Sequence, residues 1–151
     1  MLVFVPLAAA ELQGWAGNGQ FAPSEAFAVT PSMQRAFGFS AADDEDAEHT
    51  ALHVAGLAAL LRTGRRLVAV AESPARAVTG SEFGEVEVAA LPWTSVNALF
   101  ADDPAGAAAA TGIDSAGSAL ADAWDDPGVA DLLASHELLW HGPSEWAVLA
   151  R

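Results

Sequence analysis

The 151 residues carry 20 Asp and Glu against six cationic side chains, every one of them Arg, for a formal net charge of −14. Cys, Lys and Tyr are all absent, which excludes disulfides, thiolate metal sites and cysteine nucleophiles, and also Schiff-base lysines and the lysine of a P-loop. With so few cations the chain cannot build the basic face that nucleic acid or an anionic membrane surface requires, so any chemistry falls to His, Asp, Glu, Ser, Thr or Arg.

The length suits one domain over residues 1–151. Its first residues, MLVFVPLAAAELQGWAG, lack the positive segment of a secretory signal, since the first Arg is Arg35 and Pro6 and Glu11 interrupt the apolar run. No apolar stretch is long enough for a membrane span, and the expected location is cytoplasmic. The negative field keeps the protein soluble by self-repulsion, and it also suits a protein partner with a basic surface. Neither nucleic acid nor membrane is expected as a partner, and the oligomeric state is left open.

Taken in chain order, Leu2 to Val5 is a short apolar run closed by Pro6, the pattern of a strand buried on both faces. A helix is predicted over Ala8 to Ala16, stopped by Gly17-Asn18-Gly19. Ala26 to Val29 reads as a second strand, and Thr30-Pro31 opens a brief helix that ends near Gly38. The longest helical pattern runs from Asp43 to Arg62, with acidic residues where the dipole is positive and Gly64 as its stop. From Ala51 onward it is apolar nearly all round, which predicts burial of its second half.

Leu67 to Ala71 is a continuous apolar run, Glu85 to Ala90 alternates, and Val96 to Ala101 precedes a helix start at Asp103-Pro104. All three are expected as strands. Helices follow over Ala105 to Ala110, Asp114 to Trp124, and from Asp126-Pro127 to about Ser135. Leu138 to Trp140 is the last expected strand, and Gly142-Pro143 opens a closing helix through Leu149. The alternation predicts a mixed α+β (α/β) fold, with a single mixed sheet of about five to six strands flanked by helices and in part antiparallel.

Two constellations carry possible chemistry. Glu45, His49 and His53 lie at i, i+4 and i+8, a stripe along one helical face, and two His one turn apart can ligate zinc. Thr50 stands where the H-E-x-x-H motif has its general base, so the protease signature is not met. In the second, His136-Glu137-Leu138-Leu139-Trp140-His141, strand alternation puts Glu137 and His141 on one side as a polar pair, with His136 on the other. His136, Glu137 and His141 are the candidate catalytic groups. Each constellation also has a structural explanation: i,i+4 pairing with Glu45 in the first, solvated strand ends in the second.

Asp102-Asp103 and Asp125-Asp126 resemble acidic metal ligands, yet one Asp of each pair is expected to cap the helix that follows. Arg62, Arg65 and Arg66 cluster at the end of the long helix, where they suit the negative end of its dipole. The glycines at 14, 17 and 19 do not make the dinucleotide fingerprint, and Gly80 to Gly84 misses the nucleophile elbow by one position. No cofactor motif is present and no cofactor is expected.

LVFVP at the start, AFAVTP at Ala26 to Pro31, DDEDAEHTAL, RLVAVA at Arg66 to Ala71 and HELLW at His136 to Trp140 together resemble a family of small acidic bacterial proteins, a domain of unknown function. The resemblance spans most of the chain and implies a stand-alone domain with no assigned activity or cofactor. It also implies that an aromatic residue is commoner at the place of His49 and that His53 has no counterpart. The residue patterns favour a non-enzymatic protein-binding or adaptor domain using the acidic surface with Trp140 and Trp146. The alternative is a small hydrolase or metal-dependent enzyme built on His49, His53, His136, His141 and nearby carboxylates.

Overall fold

The computed structural model describes residues 1–113 and 117–151. Along the chain run β1 (Leu2–Pro6), α1 (Ala9–Asn18), β2 (Gln20–Phe21), α2 (Pro31–Phe37), α3 (Asp44–Thr63), β3 (Leu67–Glu72), β4 (Arg76–Ala77), β5 (Val86–Glu87), β6 (Leu91–Pro92), β7 (Val96–Ala101), α4 (Pro104–Thr111), α5 (Leu120–Trp124), α6 (Pro127–Ser135), β8 (Leu139–His141) and α7 (Trp146–Leu149). The fold is mixed α+β. Its main sheet has four strands in the order β1-β3-β7-β8, and the pairs β2-β6 and β4-β5 form small sheets beside it.

Every pairing is antiparallel, including those whose strands are separated by helices. Strand–helix alternation shows what covers a sheet but does not fix at which end the chain returns. Here α1, α2 and α3 all intervene between β1 and β3, and the return is antiparallel. The expected strand over 26–29 contracts to a bridge at Phe27. Its backbone pairs with Phe4 in both directions, N–H to O at 2.7 and 2.9 Å, and so covers the outer edge of β1. The alternating run 85–90 forms ladder bonds only as β5. Of the helix expected over 114–124, residues 114–116 lie outside the described residues, and the described helix is α5. The closing helix begins as a 3-10 turn over Pro143–Glu145.

β3 is central and apolar on both faces because helices lie on both. Val3, Val5, Leu67, Ala69 and Leu99 meet Leu12 and Trp15 of α1 and Leu149 of α7 on one face. On the other, Phe4, Val68, Val70 and Ala98 meet Ala47, Ala51, Val54, Ala55 and Ala58 of α3. The alanines let α3 approach the sheet closely. The opposite side of α3 is also covered: Leu57 and Leu60 pack with Ala110 of α4, Ala123 of α5, and Val129 and Leu132 of α6. Enclosure between the sheet and three shorter helices explains why the second half of α3 is apolar all round.

Three of the Pro junctions work as local capping chemistry predicts. Oγ1 of Thr30 accepts from the Met33 N–H at 3.2 Å, Oδ1 of Asp103 from Gly106 at 2.7 Å, and Oδ1 of Asp126 from Gly128 at 2.7 Å. Asp103 is thereby accounted for. Asp102 beside it has a different role, described below.

Candidate metal centre

His49 and His53 stand one turn apart on the side of α3 that faces α5 and α6. His53 is buried, 7% exposed, whereas His49 lies at the surface. Their rings meet edge to face with centroids 4.4 Å apart, and the two Nε2 atoms are 3.2 Å from each other.

The third group arrives from the segment between α6 and β8. Three features of that segment place it. α6 stops at His136, whose backbone is extended and whose N–H bonds to the Leu132 carbonyl. The His136 carbonyl accepts a 2.8 Å hydrogen bond from Nη2 of Arg66. Leu138 then presses onto α3 at Gly56, where a Cβ would come within 3.1 Å of its Cδ1. A side chain at 56 would make Leu138 give way by a few tenths of an ångström, and Glu137, held between these two anchors, comes to lie over His49. Oε2 of Glu137 is 3.3 Å from Nε2 of His49.

The three ligand atoms lie within 4.8 Å of one another. Two nitrogens bound tetrahedrally to one ion at about 2.05 Å would be about 3.3 Å apart, close to the 3.2 and 3.3 Å found here. A proton cannot satisfy the same arrangement. Nε2 of His49 is the shared atom of both contacts, and one hydrogen on it can serve only one of its two neighbours well. Each of the three groups offers a lone pair that one cation would accept. As a plain surface ion pair, His49 and Glu137 would add little, roughly 0–1 kcal/mol.

Burial pushes the His53 pKa down to about 4, with the neighbouring His49 and Arg66 acting in the same direction and Glu137 opposing. His53 is therefore neutral at pH 7 with a lone pair free to ligate. Its Nδ1 is buried and makes no hydrogen bond among the described residues. The depressed pKa has a sign for stability. The unfolded chain takes up this proton below about pH 6.5 while the folded chain resists until about pH 4, so the contribution of neutral His53 is complete above pH 6.5 and is lost as pH falls to 4. The loss amounts to about 3 kcal/mol at most. Urea unfolding of metal-free wild type and His53→Leu at pH 7 and pH 4.5 measures it: the wild type should lose more stability than the variant, and equal losses would contradict the assignment.

The structure thus joins two members of the first constellation, His49 and His53, to one member of the second, Glu137. Glu45, exposed in the first turn of α3, is outside the converging set. His136 contributes its backbone carbonyl to Arg66. His141 stands 3.4 Å from Glu145, one turn on, and Glu137 turns to His49 instead.

Arg66 does not serve the helix dipole as its position suggests; it is fully buried beyond the helix end, with Nε 3.0 Å from Oδ2 of Asp102 and Nη2 on the other oxygen. Arg62 reaches Glu11 and the Pro6 carbonyl, and Arg65 the Arg151 carbonyl, so the apparent cluster divides three ways. The only available signal for Arg66 was an Asp left over at the next helix junction.

The family of unknown function DUF6912 matches residues 1–150. The chain belongs to that family. No curated protein and no solved structure matches it. DUF6912 membership brings no activity to the site, whose chemistry rests on the residues themselves. Among the described residues no helix is long and apolar enough to cross a membrane.

Proposed function

We propose that this protein binds one divalent transition-metal ion through Nε2 of His49, Nε2 of His53 and a carboxylate oxygen of Glu137, and uses it in metal-assisted hydrolysis. The convergence of three ligand atoms from two distant segments carries the reading. Two imidazoles and one carboxylate suit zinc, and three protein ligands leave a position for water, whose pKa a zinc ion lowers to about 7. The same donor set also accommodates iron(II).

Isothermal titration of zinc into the metal-free protein tests the binding. One ion per chain is expected. His49→Ala and Glu137→Gln should each weaken it by at least about 100-fold, since loss of an outer-shell partner alone typically costs 10–100-fold. Both side chains are exposed, so neither change threatens the fold. Unchanged zinc affinity in both variants would remove the proposal.

A second reading is a non-enzymatic one, with a basic protein segment docking on the acidic surface. It is favoured by β8, an edge strand that exposes Leu139 (45%) and Trp140 (62%) in a chain of net charge −14. An arginine-rich peptide with interspersed apolar residues should then bind at low salt and lose affinity in Trp140→Ala; indifference to that substitution would count against it.

A further inference from the structure

We infer that the hollow beside His49 and His53 binds small molecules that join a metal-coordinating oxygen head, neutral or singly charged, to a flat apolar tail, the chemistry of an aryl hydroxamate or aromatic carboxylate. The inference rests on the metal reading above and adds the class of molecule that the ion would meet.

Both histidines line a surface hollow of about 390 Å³, a volume within the range of small-molecule sites. Its remaining walls are Trp124 of α5 and Ala130, Leu133 and Ala134 of α6, with Thr50 between the histidines. Apart from the two histidines and Thr50 the lining is apolar, and Glu137 lies outside it. A molecule seated there can place one polar group on the ion and must lay its remainder against hydrocarbon and indole.

Trp124 is a prepared wall. Its ring is held edge to face by Phe37 at 5.6 Å and by Phe83 at 5.9 Å, so little freedom is lost when a ligand covers it. The charge of the lining narrows the head group. No Arg is among the lining residues, and the chain carries −14 overall. A phosphate ester or nucleotide would bring several negative charges to a site with only the ion to receive them. An oxygen donor with one charge or none avoids that penalty.

Zinc-loaded protein titrated with benzohydroxamate and with acetohydroxamate, zinc content being measured before and after, tests the inference. The aryl compound should bind at least about tenfold more tightly, from the ring area it buries. Trp124→Ala should erase most of that preference while leaving zinc and acetohydroxamate affinities unchanged. Because Trp124 also packs on Phe37 and Phe83, Ala130→Glu provides a second variant on an exposed helix position, and it should reduce aryl binding with zinc still bound. Equal affinities for the two hydroxamates on zinc-loaded protein would overturn the inference and leave the metal reading standing. Failure to load zinc at all would overturn both.

Discussion

Replacing Arg66 by Met is expected to destabilise the protein by about 3–5 kcal/mol in urea unfolding, the range seen when one member of a buried ion pair is removed. Arg66 is 0% exposed and its partner Asp102 3%, both by side chain. Removing the guanidinium would strand a carboxylate beneath α4, where the adjacent Asp103 is already committed to its cap. The pair Arg76–Glu87, at 82% and 61% exposure, makes the contrast. Glu87→Gln there should change stability by less than about 1 kcal/mol. Substituting both partners, Arg66→Met with Asp102→Leu, should recover much of the loss, because the main cost is the charge left alone. Arg66 also anchors the His136 carbonyl. Arg66→Met should therefore weaken zinc binding as well as the fold, by releasing the segment that carries Glu137. A stability loss below 1 kcal/mol would show that the buried pair does not hold this region together.

Saturating zinc should raise the melting temperature. A ligand at 100 times its dissociation constant, bound only by the folded state, stabilises by about 2.7 kcal/mol. For a domain of this size that corresponds to roughly 5–11 °C. The shift should vanish in Glu137→Gln and in His49→Ala, and survive in Glu45→Gln and His141→Gln, whose side chains lie outside the converging set. Magnesium, a harder ion that prefers oxygen ligands, should produce little or no shift. A shift of equal size in Glu137→Gln would place the zinc elsewhere on this acidic surface.

Features with local causes were readable in the sequence. Thr30-Pro31, Asp103-Pro104 and Asp126-Pro127 start helices because the side chain and the N–H it caps are two or three residues apart. The continuous apolar runs that became β1 and β3 were equally plain, since burial on both faces removes alternation. What could not be read depends on groups distant in sequence. Phe27 reads as part of a strand, yet among the described residues it pairs as isolated bridges to Phe4 and Glu85. Arg66 resembles Arg62 and Arg65 in sequence, and only the packing of residue 102 beneath α4 separates it from them.

The site shows the same division. His49 and His53 could be paired by helical spacing, but Glu137 lies 88 residues from His49. Its segment is placed by Leu138 packing at Gly56 and by Arg66 holding His136, neither of which has any local signature. Within its own segment Glu137 has His141 as its apparent partner, and that pairing fails because His141 meets Glu145 across the following turn.

The most direct measurement is anomalous diffraction at the zinc absorption edge from crystals grown with one equivalent of zinc. A single peak is expected between His49, His53 and Glu137, about 2.0–2.1 Å from both Nε2 atoms and about 2.0–2.2 Å from a Glu137 oxygen. A peak on other carboxylates, or none at these three residues while the ion is bound in solution, would contradict a metal centre built from α3 and the segment before β8.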